Sequence, residues 1–264
     1  MQVSFLNRVE SWQLTLIMLA LMILSIFIGL TAGRRYYRKT AIDAPVLGGL
    51  FALVGFLLAF NFSLSLTHYE VRRGIIIEEA NNIGTAILRT SLYHEPDRTL
   101  LRAGLKRYVN ARINYFTAGV NEEKVMEAQR VSGNIQRQLW TKVSELSNDA
   151  HYTVASLQMT SALNNMIDIT TTRFYANYVH LPDVIIYLLI LLSCVSTFYM
   201  GFVAAGKQKF DWLLGGGVCL LIAVVVLVNL DLDQPRRGFI TLDQANQSIV
   251  DLKQMFPEQE AGVK

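Results

Sequence analysis

Four long apolar runs mark this sequence, and the stretch between the second and third carries apolar residues at helical spacing. Residues 12–33 (WQLTLIMLALMILSIFIGLTAG), 45–67, 183–204 (DVIIYLLILLSCVSTFYMGFVA) and 212–230 (WLLGGGVCLLIAVVVLVNL) are each long enough to cross a bilayer as an α-helix. The second run differs from the others at its far end, where neither proline nor a turn signal stops it. PVLGGLFALVGFLLAFNFSLSL passes straight into THYEVRRGIIIEEANNIGTAILRTSLY. There Ile76, Ala80, Ile83 and Ile87 follow one another at spacings of four, three and four. The pattern predicts one helix of roughly 45 residues, about 70 Å long, against a hydrocarbon core of about 30 Å. Such a helix leaves the lipid and becomes the first helix of an extramembrane bundle.

Beyond it the period stays helical. Pro96 and Asp97 punctuate, residues 97–116 read as a second extramembrane helix, Gly119 to Glu122 is a break, and 122–149 and 152–172 read as two more helices. In 97–116, Leu101, Leu105, Tyr108, Val109 and Ile113 form the apolar side. Arg98, Arg102, Lys106 and Arg112 form a basic side that reads as a solvated face. No strand-like alternation persists, so the fold class is all-α: four transmembrane helices with an extramembrane helical bundle, the second span continuing into it. The domains predicted are 1–67 (spans 12–33 and 45–67), a helical domain at 68–182, a second hairpin at 183–230 (spans 183–204 and 212–230), and a C-terminal tail, 231–264, packing on the helical domain.

Composition agrees with this pattern. Charged residues are 17% of the chain, below the roughly 25% usual in soluble proteins. The net charge of +3 is too small to argue for a nucleic-acid partner. Cys194 and Cys219 both sit inside apolar runs, which excludes a disulfide framework. The first run is longer than a signal-peptide core and is followed by arginines, so an uncleaved span is expected. Arg34, Arg35, Arg38 and Lys39 in the first short loop, and Lys207 and Lys209 in the second, favour the cytoplasm for both loops. The expected location is a bacterial inner membrane, crossed several times, with the helical domain and both termini in the periplasm.

The chemistry of enzymes is missing. His68, His94, His151 and His180 are scattered, and no Walker loop or GxGxxG occurs. Asn229, Asp231 and Asp233 resemble the start of a calcium loop, but Gln234 and Ile240 stand where Gly and Glu are needed. No cofactor or metal is expected. No charged residue lies deep in a span, which argues against ion-coupled transport and permits a passive pore.

The second span offers the candidate pore residues. Gly48, Ala52, Gly55, Ala59 and Ser63 make a stripe of small side chains, readable as a helix-packing face or as a pore lining. Asn61, Ser65, His68 and Arg72 share one face near its exit. Further on, Glu78, Asn82, Thr85 and Arg89 oppose the isoleucine face, and Asn81 and Asn82 are weak helix formers expected to bond to a neighbouring helix.

The stretches LLAFNFS…RR…EEANNIGTAILR, LNNMIDITTTR (163–173) and LDLDQPRRGFI (230–240) resemble the bestrophin-like family of bacterial membrane proteins. The resemblance implies a more distant kinship with bestrophins, which are pentameric anion channels whose second span lines the pore behind a neck of bulky apolar side chains. On that likeness Ala52, Phe56, Phe60, Asn61 and Ser65 are the expected pore lining, with Phe56 and Phe60 as the neck. Arg72, Arg73, Glu78, Glu79, Asn81, Asn82, Arg89, Asp231, Asp233, Arg236 and Arg237 are expected at a pore mouth or domain interface. The Trp-rich signature after the bestrophin pore helix is replaced here by HYEVRRGIIIEEANN, and the loop charges place the helical domain on the opposite side. Two functions follow: a passive anion pore built as a homo-oligomer in the bilayer, or a non-conducting scaffold or sensor whose helical domain binds a partner.

Overall fold

The computed structural model describes residues 9–36, 43–206, 210–234 and 236–256. Arg38, Lys39, Lys207 and Lys209, which carry much of the orientation argument, lie outside them. Among the described residues every regular element is helical: α1 (Ser11–Tyr36), α2 (Asp43–Arg89), α3 (Asp97–Thr117), α4 (Glu122–Leu146), α5 (Thr153–Ala176), α6 (Asp183–Ala204), α7 (Trp212–Asp233) and α8 (Asp243–Asp251), with short 3-10 turns between some of them. Four of these helices, α1, α2, α6 and α7, are long and apolar enough to cross a membrane. The all-α, four-span expectation holds, and so does its least ordinary feature. Helix α2 runs unbroken for 47 residues, and at the predicted exit Thr67 Oγ1 donates back to the Ser63 carbonyl at 2.8 Å without interrupting it.

The chain divides into two compact units, Met1–Tyr69 with His180–Ile240, and Glu70–Val179 with Thr241–Lys264. In the first, α1, α6, α7 and the start of α2 bury Met18, Met22, Ile26, Leu30, Val54, Leu58, Leu189, Ile222 and Val226. Its tightest contact is between α1 and α6. A Cβ on Gly29 would strike the backbone of Phe198, one on Gly33 the backbone of Phe202, and one on Gly201 the backbone of Ile26. Ser193 and Thr197, fully buried, precede Gly201 at intervals of four, so the buried face of α6 has small side chains over its second half. In lipid, helices gain little from apolarity alone, and close backbone approach supplies the packing energy. The small stripe on α2 does not serve that purpose within the chain. Gly48, Ala52, Gly55, Ala59 and Ser63 are all exposed, with nothing within 4 Å of a Cβ on Gly48 or Gly55. The packing seam belongs to the first and third spans.

The second unit is built on the isoleucine face of α2. Ile76, Ala80, Ile83 and Ile87 are buried together with Leu101, Leu105 and Tyr108 of α3, Leu139 and Val143 of α4, and Met159, Leu163 and Met166 of α5. Each such aliphatic side chain contributes about 1.5–3 kcal/mol on full burial. Gly119, at φ 56°, turns the chain after α3. Asn121 then caps α4, its side chain accepting from the Lys124 amide at 3.0 Å, with Glu122 and Glu123 placed favourably in the first turn.

Because the α1–α6 seam admits no side chain, Gly201→Val should be far more damaging than its volume suggests. It is expected to cost about 3 kcal/mol or more by overpacking and to lower the melting temperature of the detergent-solubilised protein. Gly74→Ala, on an open stretch of α2, should leave it unchanged or raise it, as read by intrinsic fluorescence.

Candidate functional site

The expected pore residues fall on two opposite faces of α2. Ala52, Phe56 and Phe60 recur every four residues and point away from the rest of the unit, with Phe56 66% and Phe60 51% exposed. Val54, Leu58, Asn61 and Ser65 lie about half a turn round, at 100° per residue, and are buried. Asn61 and Ser65 therefore cannot share a lining with the two phenylalanines in the same subunit. Asn61 is 3% exposed and Ser65 is fully enclosed. At the same level Asn229 of α7 donates to the Leu58 carbonyl at 3.4 Å. That bond ties α2 to α7.

The acidic stretch after α7 works as a clasp. One Asp231 carboxylate oxygen accepts from both the Phe239 and Ile240 amides at 2.7 Å. Gly238, just before them, has φ 94°, and a Cβ there would collide with the same carboxylate, so glycine is required twice over. Asp233 gathers two histidines that are 112 residues apart in the chain. His68 Nδ1 lies 2.9 Å from Oδ1, His180 Nδ1 lies 3.0 Å from the Asp233 carbonyl, and the Leu181 amide donates to Oδ2 at 2.8 Å. Both carboxylates are buried, so neither stands open at a mouth. Arg237 reaches Glu10 at 3.8 Å. Among the described residues no three His, Cys, Asp or Glu side chains gather as metal ligands.

Farther along α2, several candidate mouth residues turn out to bind α5. Arg72 is buried and donates to the carbonyls of Ala176, at 3.3 Å, and Val179. It thereby caps the carbonyl-rich end of α5, where a cation also suits the helix dipole. Asn82 Nδ2 donates to the Asn165 carbonyl at 3.4 Å, and Arg89 to that of Gln158. The acceptors descend as the donors ascend, the signature of two antiparallel helices. Arg73, Glu78 and Asn81 remain exposed, with Arg73 paired to Glu70 at 3.2 Å.

Glu79 is the largest departure from expectation. It is fully buried, one residue from the exposed Glu78, because α2 turns it inward onto α3 and α5. Its Oε1 accepts from Arg112 Nε and its Oε2 from Arg173 Nη1, both at 2.5 Å. Arg112 is not on a solvated basic face. It is 0% exposed and also donates to Gln129 Oε1 at 3.1 Å. Arg173 donates its Nη2 to Asn246 Oδ1 at 2.6 Å, which brings α8 into the cluster. The Tyr115 ring lies 4.4 Å from Arg112 Cζ and 5.5 Å from Arg173 Cζ, a cation–π geometry. Beside them Tyr108 shares a 2.7 Å hydrogen bond with Thr170 and accepts from Gln136 at 3.1 Å.

Burial alone pushes the Glu79 carboxyl up, but the Arg112 and Arg173 guanidiniums outweigh it and hold the group below its ordinary value. Burial pushes the Tyr108 hydroxyl up to about 12. The cluster is an electrostatic pin with no nucleophile or proton acceptor open to a substrate. Two residues of this pin stand in the stretches EEANN and DITTTR. A carboxylate and an arginine inside otherwise apolar helical faces were the available signal. Removing one partner of a buried pair strands the other, so Glu79→Gln should destabilise by about 3–5 kcal/mol. Since the folded carboxyl sits below its ordinary 4.5, its contribution is present in full above that pH and is lost as pH falls further. A melting temperature that drops on acidification in the parent, and drops less in the Glu79→Gln variant, is the expected result.

Comparison with known proteins agrees with this architecture. The bestrophin-like domain matches residues 13–246. No curated protein matches the sequence. Among solved structures, a bacterial bestrophin homologue from Klebsiella pneumoniae superposes with a TM-score of 0.64 at 13% identity, covering 91% of this chain and 97% of that one. A substituted form of that homologue gives a TM-score of 0.66 at 13% identity, covering 92% and 99%. At such identity the structures establish the fold, and the domain match spanning nearly the whole sequence establishes kinship: this chain belongs to the bestrophin-like family.

Proposed function

We propose that the protein is a passive ion channel, built as a homo-oligomer around the outer face of α2. The observation that carries this reading is the division of that helix. Val54, Leu58, Asn61 and Ser65 are enclosed by the chain itself, while Ala52, Phe56 and Phe60 are left uncovered in a row. Copies arranged about an axis would turn that row inward, and two rings of phenylalanine would form an apolar constriction that gates by dewetting. The exposed small residues Gly48, Gly55 and Ala59 beside it would let neighbouring α2 helices approach closely. A ring of five and a preference for anions come from likeness to bestrophins. Local charge adds little, because Arg73 is paired with Glu70 and Glu78 is exposed nearby. The surrounding membrane is a bacterial inner membrane, with the helical unit in the periplasm.

Reconstituted in liposomes, the protein should pass chloride above the empty-vesicle rate, and Phe60→Ala should raise the flux several-fold. Background flux in both would contradict the reading. A single cysteine placed at Asn121 should react with a membrane-impermeant maleimide in intact spheroplasts; protection there would reverse the orientation.

A second reading, a scaffold or sensor that does not conduct, is favoured by one observation. The helical unit leaves Leu88, Val154 and Leu157 exposed, Leu157 at 74%. A single subunit or dimer in mild detergent, without flux, is the outcome that supports it.

A further inference from the structure

The Glu79 cluster is unbalanced. Two guanidiniums face one carboxylate, and all three side chains are at least nine-tenths buried. Among the described residues no second carboxylate pairs with either arginine. Burial pulls the Arg173 guanidinium down from its ordinary value, yet a guanidinium stays protonated in a protein. The hydroxyl of Tyr108 is neutral at any physiological pH. The cluster therefore carries one excess positive charge inside a helical unit, where an uncompensated charge is strongly unfavourable.

The excess has a location. Arg112 spends Nε on Glu79 and Nη1 on Gln129. Its Nη2, fully buried, has no acceptor among the described residues. The face of the guanidinium is covered by the Tyr115 ring at 4.4 Å, so a further ligand must approach in the plane, along the Nη2–H bonds. The half-buried Gln129 beside it marks the side nearest solvent. Neutral acceptors would satisfy the donor without correcting the charge. A phosphate or sulfate would bring two charges and several oxygens to a place offering one spare nitrogen.

We propose that Arg112 Nη2 holds one small monovalent anion of the halide class, which completes the charge balance of the Glu79–Arg112–Arg173 cluster. The anion ties α3 to the junction of α2, α5 and α8, so chloride concentration sets how firmly the helical unit is held together. The site is separate from the α2 outer face and stands whether or not the protein conducts.

The test uses the full chain in detergent, unfolded by heat in sodium chloride and in sodium gluconate at equal ionic strength. Chloride should raise the melting temperature saturably, by about 3 °C at concentrations well above half-saturation. Gln129→Glu places a fixed negative charge next to Arg112 at a half-exposed position. It should abolish the chloride dependence and melt in gluconate where the parent melts in saturating chloride. Crystals of the parent soaked in sodium bromide should show an anomalous peak beside Arg112 Nη2, a measurement that stands even if the variant fails to fold. Equal melting in the two salts, an undiminished chloride effect in Gln129→Glu, or no bromide at Arg112 would each overturn the assignment.

Discussion

A polypeptide in hydrocarbon must satisfy its own amides and carbonyls, since no water is there to do so. Helix α2 meets that constraint without a break from Asp43 to Arg89, and each of the two units packs on its own part of that helix. No proline beyond Pro45 in its first turn, no Asp, Glu, Lys or Arg from Ala44 to Tyr69 and a back-bonded threonine at its predicted exit keep the ladder intact. Each face of the helix then has its own task. Within the first unit one face packs on the protein's own core and the opposite face is left bare; within the second, isoleucines pack on α3 to α5 while arginines and an asparagine reach for the backbone of α5.

That arrangement explains why residues with a functional look are mostly structural. Charged and amide side chains on a long helix invite a reading as a pore mouth, yet Arg72, Asn82 and Arg89 bind carbonyls, and Glu79 pairs with two buried arginines. A buried ion cluster adds little net stability beyond what apolar packing would give, but it tolerates only one alignment of the helices that contribute to it. Here those are α2, α3 and α5, with α8 joined through Asn246. The Asp231 and Asp233 clasps act in the same manner on the chain that leaves α7.

The spans and the unbroken α2 were legible because length and period speak for themselves: twenty apolar residues and a run of isoleucines at helical spacing leave few alternatives. The packing seam was not, because glycine stripes occur in two places and the sequence does not say which is used. Ser193, Thr197 and Gly201 recur at helical spacing in α6 as Gly48, Ala52 and Gly55 do in α2, and of these two stripes only the one on α6 has a backbone pressed against it. Arg112 was misread because a single helix cannot reveal that one member of a basic row faces a buried carboxylate from another helix. The meeting of His68 and His180 on Asp233 is likewise invisible from spacing, since it joins three separate elements.

Ala52, Phe56 and Phe60 form one row of the uncovered face of α2, and the proposed channel requires that row to face a water-filled path in the assembled protein. Single cysteines placed in turn from Ala52 to Asn61, in a background with Cys194 and Cys219 replaced, can be challenged in native membranes with a small water-soluble thiosulfonate. Reaction confined to positions 52, 56 and 60, with protection at Val54, Leu58 and Asn61, is the predicted outcome. No reaction at any position, or reaction at 54, 58 and 61 instead, would contradict it.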